Sequence, residues 1–158
     1  MPFPYKRILC PVDFDDNSLQ AVEQASALAR GGTGRLCLLH VMQINPLATE
    51  GFVLGELYDS QEKYAREKLD QITRDRLAGV ECEILIERGT PADVILAMEK
   101  TVAPDLVVMA THGRRGFTRL VMGSVAEKVL RESITPVLTV RSLPAKISSP
   151  SHPLGTPG

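Results

Sequence analysis

Leu106 to Arg131 reads L-V-V-M-A-T-H-G-R-R-G-F-T-R-L-V-M-G-S-V-A-E-K-V-L-R. Its first five residues, Leu106 to Ala110, are the most apolar strand-sized run in the chain. A strand so uniformly apolar is usually covered on both faces, as strands of parallel sheets are. The next seven, Thr111 to Phe117, are polar and glycine-rich, and Ser124-Val125-Ala126-Glu127 has the spacing of a capping box that opens a helix. A buried strand, a glycine loop and a helix, in that order, point to an α/β protein built on a parallel sheet.

The same alternation continues on both sides. Ile8 to Phe14 (I-L-C-P-V-D-F) reads as the first strand, and Asn17 as an N-cap with Gln20 at the third helical position. Ala21, Val22, Ala25, Leu28 and Ala29 then share one helix face, and Gly31, Gly32 and Gly34 stop the helix. Leu36 to Val41 is a second strand, and Ile44 to Gly55 reads as a loop. A charged helix is predicted over Glu56 to Leu77, with Leu57, Ala65, Leu69 and Ile72 facing inward and Gly79 ending it. Glu81 to Glu87 alternates as a strand nearer a sheet edge does. Thr90-Pro91 opens a helix whose apolar positions are Val94, Ile95, Ala97 and Met98, and Pro104-Asp105 closes it. Val137 to Val140 is the last strand. The expected organisation is one domain over residues 1–141 and a disordered, Pro/Ser/Gly-rich tail over 142–158.

Five strands alternating with helices predict a mostly parallel sheet, helices on both faces and right-handed crossovers. Such sheets place ligands outside the carboxyl ends of the strands, where the strand order reverses. With the order 3-2-1-4-5, that reversal lies between the first and fourth strands. The segments there are Pro11 to Asp15 and Ala110 to Ser124.

Composition narrows the function. The chain has 158 residues, 18 Lys plus Arg against 19 Asp plus Glu, and a net charge of −1. That balance argues against a nucleic-acid coat or a polybasic membrane binder. The longest apolar runs are strand-sized, so no membrane span is expected. Lys6 and Arg7 are followed by only five uncharged residues before Asp13, too short for the apolar core of a signal peptide. The expected location is therefore the cytoplasm. Cys10, Cys37 and Cys82 are odd in number and far apart, and read as buried thiols that pack as small hydrophobes.

Gly113, Gly116, Gly123 and Ser124 suggest a phosphate cradle. Glycine lets backbone amides approach an anion, and a helix start adds free N–H groups and the positive end of the dipole. Arg114, Arg115 and Arg119 add cationic charge. No G-x-x-x-x-G-K-[ST] occurs, and no G-x-G-x-x-G follows a strand. Asp13 ends the first strand, where a carboxylate can accept from a ribose hydroxyl or a base amino group, while Asp15, Asp16 or Asn17 can cap the first helix. His40 reads as a packed, hydrogen-bonded histidine. His112, in the loop, has no evident nucleophile partner and reads as a positioning residue. No second carboxylate pairs with Asp13 for acid–base hydrolysis.

Ala110 to Ser124, with K-R-I-L-C-P-V-D-F near the start, L-L-H-V in the second strand and P-V-L-T-V at the end, resembles the universal stress protein family. The family signature is Gly, two residues, Gly, nine residues, then Gly and Ser or Thr. Gly113 matches its second glycine, and Gly123-Ser124 matches its end after the nine residues Arg114 to Met122. The resemblance covers about residues 5 to 141. It implies a five-stranded parallel sheet in 3-2-1-4-5 order, of the adenine nucleotide α-hydrolase-like, Rossmann-like class. It implies ATP, AMP or ADP as ligand, with or without Mg²⁺. Asp13 would bind the ribose beside Pro11, and the Val41 backbone the adenine. Gly113, Arg114, Arg115, Gly116, Gly123, Ser124 and Val125 would surround the phosphates, with His112 in the same loop. It also implies a homodimer through the last strand, Val137 to Arg141. The signature's first glycine is Ala110 here, a mild change if φ is negative and a strained one if φ is positive. The expectation is a nucleotide-linked regulatory dimer rather than an enzyme, with slow Mg²⁺-assisted hydrolysis left open. The alternative is a nucleotide-free structural or partner-binding dimer. A hydrolase or adenylating enzyme would need a second glycine loop or a lysine motif near the first strand, and neither is present.

Overall fold

A computed structural model describes residues 3–44, 51–112 and 122–141, the first three of the middle stretch by backbone only. The chain runs β1 (Arg7–Pro11), α1 (Asp16–Arg30), β2 (Arg35–Met42), α2 (Gly51–Arg76), β3 (Glu81–Arg88), α3 (Pro91–Val102), β4 (Leu106–Ala110), α4 (Ser124–Glu132) and β5 (Val137–Val140). All four strand pairings are parallel and the order is β3-β2-β1-β4-β5. The expected alternation and order are both present.

The two-residue period of the strands divides the core. Ile8, Cys10, Leu36, Leu38, Leu106 and Val108 point to the layer that holds Ala21, Val22 and Ala25 of α1 and Leu69 and Ile72 of α2. Leu9, Cys37, Leu39, Val107 and Met109 point the other way, against Ile95 and Met98 of α3 and Ala126 and Val129 of α4. β4 is the uniformly buried strand its composition predicts: Leu106 to Met109 are all buried.

Several boundaries differ from expectation. β1 ends at Pro11, three residues before Phe14. After Val12 donates to the Leu39 carbonyl, Phe14 turns to φ 68° and the chain leaves the sheet. The cap of α1 is Asp15 rather than Asn17: its Oδ1 accepts the Ser18 N–H at 2.7 Å. At the far end, a Cβ on Gly34 would meet the Tyr5 carbonyl oxygen at 2.7 Å, which is why glycine closes that turn. α2 starts at Gly51, inside the stretch expected to be loop. Leu57, expected inward, is 47% exposed, and Ala97 of α3 is also exposed. Helix α4 is capped by Gly123, with Ser124 as its first residue and no side-chain capping bond.

Of the thiols, Cys10 and Cys37 are buried, while Cys82 is only half-buried. Burial, with Glu83 beside it, pushes the Cys37 thiol up to about 11, and burial also raises Cys10. The tail expected over 142–158 lies outside the described residues.

The exposure contrast along α2 makes a paired prediction. Leu69→Ala removes a fully buried side chain and should cost about 2–5 kcal/mol in urea unfolding. Leu57→Ala should stay within about 0.5 kcal/mol. Equal losses would contradict the burial pattern.

A cleft at the strand-order reversal

The helices that follow β1 and β4 lie on opposite faces of the sheet, so the chain departs in opposite directions above two neighbouring strands. A cleft of about 1020 Å³ opens there, at the upper end of the range for ligand sites. Pro11, Asp13, Val41, Ala110, His112, Gly123, Ser124 and Val125 all line it. These are eight of the sequence-predicted site residues. Gly113, Arg114, Arg115 and Gly116 lie outside the described residues.

Asp13 sits in a tight polar turn. Its N–H donates to Ser18 Oγ at 3.3 Å, and its Oδ1 accepts the Asp15 N–H at 3.2 Å. The turn therefore fixes the carboxylate before any ligand arrives. Burial pushes the neighbouring Asp15 carboxyl up, against the lowering effect of the Ser18 N–H, and Asp13 adds to the rise. Asp15 Oδ2 is buried with no hydrogen-bond partner among the described residues.

Val41 is placed by strand geometry. Leu39 turns its carbonyl to β1, accepting from Val12 at 2.8 Å, and Met42 turns its carbonyl to β3, accepting from Gly89 at 3.0 Å. In a parallel strand, backbone groups alternate between neighbours. Val41 thus presents its N–H and C=O on the β1 side, at a level where β1 has ended.

The opposite wall is built around Thr111. Its N–H donates to the Val140 carbonyl at 3.1 Å, and its own carbonyl accepts the Gly123 N–H at 2.8 Å. The Gly123 amide is therefore engaged in holding α4 against β4. The first bond inside that helix runs from the Glu127 N–H to the Gly123 carbonyl at 2.9 Å. The amides of Ser124, Val125 and Ala126 precede it at the positive end of the helix. Those three amides and the helix dipole suit an anion.

Ala110 is the last residue of β4, paired with Val140. Among the described non-glycine residues only Phe14 and Ala103 have positive φ, so Ala110 takes the mild form of its departure from the signature. His112 Nδ1 lies 2.9 Å from Thr111 Oγ1, and its Nε2 is buried with no hydrogen-bond partner among the described residues. His40 is hydrogen-bonded as expected, Nδ1 to the Val12 carbonyl at 2.8 Å, yet it also lines the cleft. Phe14, Thr111 and, from α2, Ser60, Gln61 and Tyr64 line it too and were not singled out from sequence. Among the described residues no group of three His, Cys, Asp or Glu could hold a metal ion. No described helix is long and apolar enough to cross a membrane.

A family model described as the universal stress protein family matches residues 4–141. The universal stress protein MJ0531 of Methanocaldococcus jannaschii is 31% identical over 142 residues, covering 87% of this chain and 82% of that one. The solved structure of MJ0577, from the same organism, superposes with a TM-score of 0.82 at 26% identity, covering 90% of this chain and 99% of that one. A solved universal stress protein in complex with cAMP superposes at 0.61 with 25% identity, covering 87% and 97%.

The Asp13–Asp15 turn sets a pH prediction. With its pKa raised in the folded state, Asp15 favours folding when protonated, and that contribution is lost as pH rises through the raised value. Asp15→Asn keeps a capping oxygen without the charge. It should raise the urea midpoint at pH 7, with the gap closing as the pH falls and the native carboxyl takes up its proton. A lower midpoint at pH 7 would contradict the assignment.

Proposed function

The chain belongs to the universal stress protein family, and on that premise we propose that it is an adenine-nucleotide-binding regulatory protein. The observation that supports this most is the convergence of three different groups on one cleft: a held carboxylate, a backbone edge and a helix start. Asp13 would accept from the ribose hydroxyls. The N–H and C=O of Val41 match the donor–acceptor edge of adenine. The amides of Ser124, Val125 and Ala126 would take phosphate oxygens, together with Gly113, Arg114, Arg115 and Gly116 of the intervening loop. ATP, ADP and AMP share the parts these groups read, and Mg²⁺ would enter as the counter-ion of the phosphates. The cAMP complex of a relative shows an adenine nucleotide on a related chain and supports the same ligand class here.

The mechanism we propose is binding-linked rather than catalytic. Thr111 bonds Gly123 on the cradle side and Val140 on the β5 side. A phosphate that draws on the α4 amides would act one residue from the sheet edge. β5 pairs with β4, and Leu138 on it is 40% exposed. A homodimer formed through Val137 to Arg141 would cover that edge. The protein would act in the cytoplasm, where the raised thiols of Cys10 and Cys37 keep them inert.

Titration calorimetry of Mg²⁺·ATP into nucleotide-stripped protein tests the reading. Micromolar binding is expected, lost in Gly123→Val. Asp13→Ala should weaken ATP at least about tenfold and leave inorganic triphosphate unchanged. Absence of binding in the native protein would favour the nucleotide-free reading. For the dimer, Leu138→Lys should shift the sedimenting species to monomer, and an unchanged mass would remove β5 from the interface.

A further inference from the structure

Phe14 is a bulky residue at φ 68°, in the left-handed region that such side chains rarely enter. The other described non-glycine residue with positive φ, Ala103, terminates α3, an ordinary place for that conformation. Phe14 terminates no helix. It stands between Asp13 and the cap Asp15, and the hydrogen bonds of Asp13, Asp15 and Ser18 hold the turn around it. Strain of this kind persists where the surroundings over-determine it, and it concentrates at ligand sites.

The turn delivers an aromatic ring to one end of the cleft. The Phe14 ring stacks on the His40 imidazole, centroids 4.3 Å apart and planes at 25°. Tyr64 of α2 meets Phe14 edge-on at 6.3 Å and 87°. All three residues line the cleft, Phe14 while also packing against the α1/α2 core layer, and His40 immediately precedes Val41 in β2. His40 is oriented by its own bond to the Val12 carbonyl. Tyr64 is 53% exposed and is one of the cleft-lining residues of α2, with Lys68 Nζ 5.7 Å from its ring centroid. The wall thus draws one ring each from the β1–α1 turn, β2 and α2. It adjoins the backbone edge of Val41.

We infer that Phe14, His40 and Tyr64 form an aromatic wall that reads the nucleobase by stacking and makes the site prefer a purine to a pyrimidine. A purine offers two fused rings to the wall, a pyrimidine one. Stacking is indifferent to the phosphates, so the wall sets base selectivity while the α4 end sets anion affinity. This inference rests on the nucleotide reading of the cleft and adds to it the residues that choose the base.

The test is calorimetry of ATP, CTP and inorganic triphosphate, each with Mg²⁺, on the native protein, Phe14→Leu, Tyr64→Ala and Tyr64→Phe. The native protein should bind ATP more tightly than CTP. Phe14→Leu and Tyr64→Ala should each weaken ATP about tenfold, lower the ATP-to-CTP ratio and leave triphosphate unchanged. Tyr64→Phe should restore the ratio, because it restores the ring. Tyr64 is half exposed, so its substitution reports on the wall even if Phe14→Leu fails to fold. Unchanged ATP affinity in the folded variants, or equal losses for ATP and triphosphate, would overturn the wall while leaving the nucleotide reading standing. Native protein that binds ATP no better than triphosphate would overturn the adenine reading itself.

Discussion

The 2.8 Å bond from the Val12 N–H to the Leu39 carbonyl is, among the described residues, the last backbone bond that ties the β1 segment to β2, and the cleft depends on where that pairing stops. β2 continues to Met42, while β1 has ended at Pro11. The step between them leaves the Val41 backbone facing an opening. On the other side β4 ends at Ala110, and the chain returns to start α4 beside Thr111. Because β1 is central and its neighbours are connected over opposite faces, no described helix closes the space above it. The cleft therefore follows from strand order, and its chemistry comes from three short segments that strand order brings together.

Those segments divide the work. The β1–α1 turn holds a carboxylate and an aromatic ring in a network made from Asp13, Asp15 and Ser18. The α4 start contributes amides and the positive end of a dipole, and Thr111 fastens it to β4 and β5 at once. Occupancy of the cradle and the state of the sheet edge thereby share one residue. On the proposed reading, that junction would let occupancy of the cradle be felt at the β5 edge.

The architecture was legible because the signals were periodic and redundant. β4 matches its predicted bounds, since an uninterrupted apolar run ended by the polar Thr111-His112-Gly113 admits few alternatives. Eight of the residues singled out from the sequence line one cleft, because motif spacing and strand order pointed to the same end of the sheet. What failed depended on tertiary context. Nothing in the residue type of Phe14, a good strand former, announces a left-handed backbone, so β1 was drawn too long. Leu57 keeps the helical spacing of the core residues. Yet α2, at 26 residues and about 39 Å, outruns the eight-residue strands it covers, and among its described side chains burial begins only at Ala65. The Ser124 capping box was displaced by one residue because the Thr111 carbonyl takes the Gly123 amide and makes that glycine the cap. Tyr64 lines the cleft without a sequence signal, since a tyrosine in a charged helix reads equally well as surface.

The central claim is that the cleft above β1 and β4 is where an adenine nucleotide binds. Amide chemical-shift mapping of the ¹⁵N-labelled protein on addition of Mg²⁺·ATP tests it most directly. The account predicts the largest shifts at Asp13, Phe14, Val41, Thr111 and Ser124 to Ala126, with Val140 following through Thr111 and β3 left quiet. Shifts concentrated instead at the opposite end of the sheet, around Lys6, Arg35 and Asp105, or none at saturating ATP, would contradict it.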